Sequence, residues 1–239
     1  MAGEIANDHP DIEAAAVAER LAAVNDRIAA AAALAGRPPA DVSLVAISKA
    51  QSEARVRAAL AAGQRVFGEN RVQEALQRWP GLRAEVPDLE LHFVGHLQSN
   101  KTAEAVGLFD VIQSVDRPKL AGAIAAEGAR QRRSVRCFIQ VNTGAEPQKG
   151  GAAPDDVGAL LAACRDDHGL AVDGLMCIPP VGDQPAPHFA LLAELARRAG
   201  LAGLSMGMSG DYEDAVRLGA THVRVGTAIF GPRLSRSTP

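Results

Sequence analysis

The chain has 239 residues, of which 47% are hydrophobic and only 3% aromatic, and its formal net charge is −3. So small an aromatic share argues against a stacking surface for single-stranded nucleic acid. The slightly acidic balance leaves no electrostatic footprint for DNA or RNA. The length suits one α/β barrel, for which about 250 residues is typical, and the apolar fraction is enough for one large core.

The start of the chain and its cysteines bear on the compartment. Residues 1–10 are acidic and polar with no apolar stretch of the signal-peptide type, so we expect a flexible arm there and a short tail over residues 234–239. Cys137, Cys164 and Cys177 show no short metal-type spacing, and two of them fall in apolar runs. We therefore expect buried, reduced thiols in a soluble cytoplasmic protein.

The first predicted element is one helix over residues 11–35. Apolar residues recur along it at helical spacing, and Gly36 follows as a C-cap. Pro38 and Pro39 then prevent the helix from continuing.

Strands and helices alternate after this helix. Strands are predicted at residues 42–48, 65–68, 91–95, 111–115, 136–142, 172–178, 203–207 and 222–226. Helical patterns lie between them at residues 53–62, 71–79, 101–108, 118–132, 154–168, 186–199 and 212–218.

Eight strands alternating with helices predict a parallel sheet, and closure into a barrel removes both sheet edges. We predict a single (β/α)8 TIM barrel over residues 11–233, with the leading helix covering the bottom of the barrel or packing on its side. An open doubly wound sheet is the alternative, but no G-x-G-x-x-G pattern follows the first strand to favour it.

Polar and small residues gather at the predicted C-terminal ends of the strands, where barrels of this kind carry their functional groups. Lys49 follows the first strand at the end of an apolar run. Partial burial lowers the pKa of a lysine and makes it a nucleophile able to form a Schiff base. The alternative is a solvated lysine without a role, because most lysines are exposed.

Two stretches suit a phosphate. Residues 205–210 lead from the seventh strand into a helix and contain Met206, Gly207 and Ser209, and Gly226 and Thr227 follow the eighth strand. Glycines let the backbone approach an anion, and hydroxyls and free N–H groups supply donors. Ordinary turn glycines with capping serine and threonine are the alternative.

A phosphate site and a strand-end lysine at one barrel mouth suggest pyridoxal 5′-phosphate (PLP) as cofactor. Arg224, just inside the end of the eighth strand, is placed to reach the ring nitrogen, and Asn70 to bond the 3′-oxygen. Arg224 could instead pair with a carboxylate such as Glu69. The predicted binding residues are Lys49, Asn70, Met206, Gly207, Ser209, Arg224, Gly226 and Thr227.

Five ordered motifs resemble the pyridoxal phosphate homeostasis protein family, over about residues 12–233. They lie at residues 45–49, 67–70, 92–101, 205–209 and 223–231. The resemblance implies a barrel akin to the N-terminal domain of alanine racemase and an internal aldimine at Lys49. It also implies phosphate contacts from Ser209, Gly226 and Thr227, and Arg224 at the ring nitrogen. The implied role is intracellular PLP homeostasis without catalysis. As partners we expect PLP and PLP-dependent apoenzymes, and we expect the chain to be a monomer.

The rival hypothesis is a PLP enzyme such as an amino-acid racemase. Two-base racemisation needs a second acid or base, typically a tyrosine, and the one tyrosine, Tyr212, follows the phosphate loop. We expect Tyr212 not to reach the reacting face, so a binding protein is favoured. His92 is interpreted as a core residue, and His96 stays undecided. A scaffold without ligand would leave the polar strand ends unexplained.

Two further segments are predicted near the mouth. Ser99 is interpreted as the N-cap of the following helix, whereas the role of Lys101 is left open. Residues 144–151 are rich in glycine and predict a mobile loop over the mouth, which could gate cofactor transfer.

Overall fold

The computed structural model describes residues 10–232. The arm predicted at residues 1–10, apart from Pro10, and the tail at residues 234–239 lie outside the described residues. Eight strands form the centre: β1 (Ser43–Ile47), β2 (Val66–Glu69), β3 (Glu90–Phe93), β4 (Val111–Val115), β5 (Arg136–Val141), β6 (Val172–Cys177), β7 (Gly203–Ser205) and β8 (His222–Val225).

Helices alternate with these strands along the described chain. They are α1 (Pro10–Leu34), α2 (Glu53–Ala61), α3 (Val72–Glu85), α4 (Thr102–Leu108), α5 (Pro118–Gln131), α6 (Val157–Ala162), α7 (Pro185–Arg198), α8 (Tyr212–Arg217) and α9 (Thr227–Phe230).

The strands close into a parallel barrel in chain order, because β8 returns to pair with β1. The closing register runs from Ser43 opposite His222 to Ala46 opposite Val225. The predicted (β/α)8 barrel is therefore confirmed, and the open doubly wound sheet is excluded. Closure brings the C-terminal ends of all eight strands to one rim, where the connections to the following helices begin.

Helix α1 packs on the side of the barrel, which is one of the two placements predicted for it. It contacts α2, α8 and α9, and its buried residues include Val17, Leu21 and Val24. Apolar residues at a spacing of three and four form one stripe along a helix, so α1 buries one face and leaves the other exposed.

Two helices differ from their predicted bounds by more than one residue. Helix α3 was predicted to end at residue 79 but continues through Pro80 to Glu85. A proline inside a helix costs about 3 kcal/mol, and here Trp79 and Leu82, both buried, hold the two sides of the proline against the barrel. The predicted helix at residues 154–168 is composite, since α6 follows a 3-10 turn (Pro154–Asp156) and continues into a π-helical turn (Ala163–Asp167).

The three cysteines are free and buried, as predicted. Burial raises the pKa of Cys137 and Cys177 to about 12 and that of Cys164 to about 11, so all three stay thiols at neutral pH. Among residues 10–232, no helix combines the length and the apolar character needed to cross a membrane.

Candidate functional site

A cavity of about 560 Å³ opens at the C-terminal rim of the barrel. Six of the eight residues predicted from the sequence line its wall: Lys49, Asn70, Ser209, Arg224, Gly226 and Thr227. They come from the ends of β1, β2, β7 and β8, which are far apart in sequence and meet only because the barrel closes.

Lys49 is half-buried and stands in a tight turn directly after β1. The turn is closed by the N–H of Gln51, which donates to the carbonyl of Ser48 at 3.2 Å. Ala50 has a φ of +56°, a left-handed conformation that side-chain-bearing residues adopt at a cost of about 1–2 kcal/mol. Helix α2 then begins with Ser52 as N-cap. The lysine stem is thus held between a buried strand and a capped helix.

Arg78 of α3 fixes this turn through hydrogen bonds to its backbone. Its guanidinium donates to the carbonyls of Ser48 at 3.2 Å and of Gln51 at 2.6 Å, one on each side of Lys49. It also pairs with Glu69 at 3.1 Å. Arg78 thus joins the carbonyls of Ser48 and Gln51 and the carboxylate of Glu69 in one network. This network sets the position from which the side chain of Lys49 starts.

Glu69, at the end of β2, is the buried anion of this network. One of its oxygens accepts bonds from the Ser48 hydroxyl at 2.8 Å, from Arg78 and from the Trp79 indole at 3.2 Å. Burial raises the pKa of Glu69, and the bond from Ser48 and the charge of Arg78 oppose that rise. The alternative partnership of Arg224 with Glu69 is therefore wrong, because Glu69 pairs with Arg78.

Replacing Arg78 with alanine should destabilise the protein by about 3–5 kcal/mol at neutral pH, because it leaves a buried carboxylate without its cation. Without that cation the folded-state pKa of Glu69 rises further above its unfolded value. The folded state then takes up a proton that the unfolded state lacks, so the stability deficit should shrink as the pH falls through that raised pKa. Urea unfolding between pH 5 and 8 measures both effects.

Arg71→Ala is the matched control for this prediction. Arg71 pairs with Glu74 at 3.0 Å, and its side chain is 66% exposed. Exposed ion pairs contribute at most about 1 kcal/mol, so a small, pH-independent loss is expected. An Arg78→Ala variant as stable as Arg71→Ala would contradict the structural role assigned to Arg78.

Arg224 forms part of the cavity floor. Its side chain is buried, and its two terminal nitrogens donate to the Ser205 hydroxyl and to the Cys177 carbonyl, each at 2.7 Å. Burial lowers the pKa of this guanidinium below its usual range. A fixed fork of donors on a cavity floor suits a flat ligand with an acceptor atom at its edge.

The loops after β7 and β8 meet at Ser209. Its hydroxyl oxygen lies 3.2 Å from the N–H of Gly226 and 3.4 Å from the N–H of Ala228, so it accepts from both. A Cβ at Gly226 would lie 3.1 Å from the carbonyl of Ile47, which leaves no easy room for a side chain. The backbone N–H groups of Gly226 and Ala228 thus converge with Ser209 and Thr227 at one place on the cavity, beside the junction of β8 with β1.

Met206 and Gly207, the other two predicted binding residues, lie behind this wall. Met206 is fully buried in the core. Gly207 has a φ of +91°, and a Cβ there would come within 2.5 Å of the Cβ of Ala215. Both residues shape the loop that carries Ser209, and their contact with a ligand stays a prediction.

Comparisons with known proteins identify relatives over nearly the whole chain. The family described as "Alanine racemase, N-terminal domain" matches residues 20–233. The pyridoxal phosphate homeostasis protein of Pseudomonas aeruginosa is 46% identical over 224 residues, covering 91% of this chain and 96% of the relative. The protein of the same name from Escherichia coli K12 is 36% identical, covering 91% and 97%. This chain belongs to the pyridoxal phosphate homeostasis protein family.

A solved structure of this family agrees with the fold. PipY of Synechococcus elongatus with PLP bound is 40% identical and superposes with a TM-score of 0.78, covering 90% of this chain and all of that one. The family resemblance inferred from the five sequence motifs is therefore confirmed. The curated relatives are named for homeostasis and not for an enzymatic reaction.

The single tyrosine of this family member, Tyr212, lies away from the cavity wall. Its side chain is buried, its hydroxyl has no hydrogen-bond partner within residues 10–232, and Arg27 stacks over its ring at 5.6 Å. Burial raises the pKa of its phenol. His96 does line the cavity, but its side chain is 63% exposed and lies 4.0 Å from Asp116. His92 is a buried core residue, as interpreted from the sequence.

The structure gives the contacts of Ser99, predicted as a cap, and of Lys101, whose role the sequence left open. Ser99 does not cap a helix through its side chain; it begins a 3-10 turn (Ser99–Lys101), and its carbonyl accepts from the Thr102 hydroxyl at 2.9 Å. The predicted cap is therefore wrong, because the turn precedes α4 and moves the helix start beyond Ser99. Lys101 pairs with Glu104 at 3.2 Å.

Sequence reasoning missed the part of the wall that the end of β5 and the loop at residues 144–151 supply. Gln140, Asn142, Lys149 and Gly150 line the cavity. Asn142 anchors the loop, since its side chain donates to the carbonyl of Glu146 at 2.9 Å and accepts from the N–H of that residue at 3.2 Å. Asn142 directly after the fifth strand and the glycines of the following loop were the available signal.

Proposed function

We propose that this chain is a PLP-binding protein of intracellular PLP homeostasis that holds the cofactor covalently on Lys49. The observation that carries the proposal is the convergence of an amine, an arginine fork and a cluster of backbone N–H donors on one cavity of about 560 Å³. PLP presents an aldehyde, a ring nitrogen and a phosphate, and these three groups match that set in kind.

The six predicted residues that line the cavity each have a part in this assignment. The Lys49 nitrogen attacks the aldehyde carbon, and one water leaves as the imine forms. Arg224 donates to the ring nitrogen, and because an arginine donates its proton without giving it up, the pyridine stays unprotonated. Ser209, Gly226 and Thr227 bind the phosphate, and Asn70 binds the oxygen beside the aldehyde. PLP bound to PipY supports the cofactor's identity.

A racemase is the second candidate, and the fold favours it more than the site does. Racemisation by two bases needs a second proton donor facing the lysine across the substrate. Tyr212 is buried outside the cavity wall, and His96 is exposed at its rim. We therefore propose a carrier that hands PLP to apoenzymes as a monomer in the cytoplasm, and not a catalyst.

The test is an absorbance spectrum of the full-length protein with added PLP, before and after borohydride. A band of the bound imine should appear and vanish on reduction, and peptide mapping should find the reduced adduct on Lys49. The sequence contains four lysines, Lys49, Lys101, Lys119 and Lys149, so the assignment is unambiguous. An adduct confined to Lys149, the other lysine of the cavity wall, would overturn the proposal. Assays with both alanine enantiomers should show no interconversion.

A further inference from the structure

Polar side chains cross the barrel interior from the cavity floor to the opposite end of the strands. Arg224 donates to the Ser205 hydroxyl at 2.7 Å, and that hydroxyl donates to the Gln113 carbonyl oxygen at 2.6 Å. The Gln113 amide nitrogen lies 2.6 Å from Nδ1 of His92, whose Nε2 lies 2.5 Å from Glu90. We call these five residues the barrel relay.

The direction of every bond in the barrel relay follows from its two ends. Arginine can only donate, so Ser205 accepts from Arg224 and has its proton left for Gln113. A carboxylate can only accept, so Nε2 of His92 carries a proton toward Glu90. A neutral His92 then has Nδ1 as an acceptor, which requires the amide nitrogen of Gln113 on that side. Both ends thus demand the same orientation of Gln113.

The barrel relay is shielded from solvent along most of its length. Arg224, Ser205, Gln113 and His92 are all buried, and only Glu90 is about one-third exposed. Its bond from His92 lowers the pKa of Glu90 to about 2, against an opposing effect of burial, and Arg136 adds to the lowering from outside. Glu90 is therefore a carboxylate at neutral pH.

The two neighbours bonded to Arg224 are neutral. Ser205 and the Cys177 carbonyl orient its fork, but neither carries a charge to offset that of a buried guanidinium. The barrel relay extends from this cation to a carboxylate at the far end, with each member donating in the same sense. Hydrogen bonds in such a chain polarise one another, so removing a middle member weakens the hold on Arg224 itself.

We propose that Ser205 and Gln113 are positioning residues that fix the guanidinium of Arg224 against the ring nitrogen of PLP, an inference that rests on the proposed function. Neither residue lines the cavity, so each acts through Arg224 and not by contact with the cofactor. Their effect is specific to the ring nitrogen. Covalent attachment at Lys49 and phosphate binding at Ser209 use other atoms than the Arg224 guanidinium, so both should continue without them.

The experiment compares PLP with its 1-deaza analogue, in which a C–H group replaces the ring nitrogen. Dissociation constants are measured by absorbance titration for the wild type, Ser205→Ala and Gln113→Met. The wild type should prefer PLP, and both variants should lose at least about tenfold of that preference, the equivalent of one hydrogen bond to a charged group. Binding of the deaza analogue itself should change little.

Ser114→Ala is the matched control. Ser114 lies beside Gln113 on β4, is equally buried, and its hydroxyl has no hydrogen-bond partner within residues 10–232. Ser114→Ala removes a buried serine hydroxyl, as Ser205→Ala does, but leaves the barrel relay intact. Its preference for PLP over the deaza analogue should therefore match that of the wild type. If Ser205→Ala fails to fold, Gln113→Met still tests the inference. Thermal unfolding shows whether each variant is folded.

Three results would overturn the inference. They are an unchanged preference in both relay variants, an equal loss in Ser114→Ala, or a wild type that binds PLP and the deaza analogue equally. Failure of the proposed function is distinguished by the borohydride test, since a wild type without an adduct on Lys49 fails there first. An adduct on Lys49 together with an unchanged preference contradicts the barrel relay alone.

Discussion

Replacing Lys49 with alanine should abolish the PLP adduct that forms on borohydride reduction and the absorbance of the bound imine. The methyl side chain has no nitrogen to attack the aldehyde, and the apolar strand behind it brings no other amine to that position. The proposed phosphate and ring contacts are unchanged in the variant, so weak, reversible binding of PLP should persist with the spectrum of a free aldehyde. Mass spectrometry after reduction measures the first effect, and absorbance titration the second.

Lys149→Ala and Lys119→Ala are the controls for that loss. Lys149 lines the same cavity and pairs with Glu146 at 2.6 Å, whereas Lys119 is exposed near the start of α5. Both variants should keep the adduct, because neither nitrogen follows β1. An adduct that survives in Lys49→Ala at the wild-type level, with the protein folded by circular dichroism, would show that the cofactor's attachment lies elsewhere.

The barrel and six residues of the cavity wall were predictable because parallel strands leave a simple pattern. Short apolar runs followed by glycine or polar residues recur eight times, and the closed fold then forces their ends together. Lys49, Arg224 and Ser209 were identifiable by their position after or within strands 1, 7 and 8. Their mutual placement required only the topology and not the packing of individual side chains.

Arg78 and the barrel relay were not predictable in this way. Arg78 lies within a helix whose pattern looks like any amphipathic surface helix, and only the tertiary structure directs it to the carbonyls beside Lys49. Gln113 and Ser205 are polar residues inside strands, which the sequence shows as interruptions of an apolar run. Gln113 bonds to His92, 21 residues away in the sequence, and to Ser205, 92 residues away. No local sequence pattern indicates bonds between residues so far apart.

Replacing Ser209 with aspartate should weaken PLP binding about 100-fold while changing the affinity for pyridoxal, which lacks the phosphate, far less. The new carboxylate would take the two N–H bonds of Gly226 and Ala228 and place a negative charge at the proposed phosphate site. Two like charges about 4 Å apart at an effective dielectric constant of 20 repel by about 4 kcal/mol. Partial exposure reduces that figure, and 100-fold corresponds to about 2.7 kcal/mol.

The ratio of the two affinities, and not the PLP affinity alone, decides this prediction. Ser209→Ala removes the hydroxyl without adding charge. It should weaken PLP binding tenfold or less, because a hydrogen bond of this kind contributes about 1 kcal/mol. Ser99→Asp adds the same charge at an exposed position outside the cavity wall and should leave both affinities unchanged. If Ser209→Asp weakens PLP and pyridoxal equally, the loop disturbs the site in general, and the phosphate binds elsewhere. Equal affinity of the wild type for the two ligands would lead to the same conclusion, because a phosphate held by Ser209, Gly226 and Thr227 must add to the binding free energy.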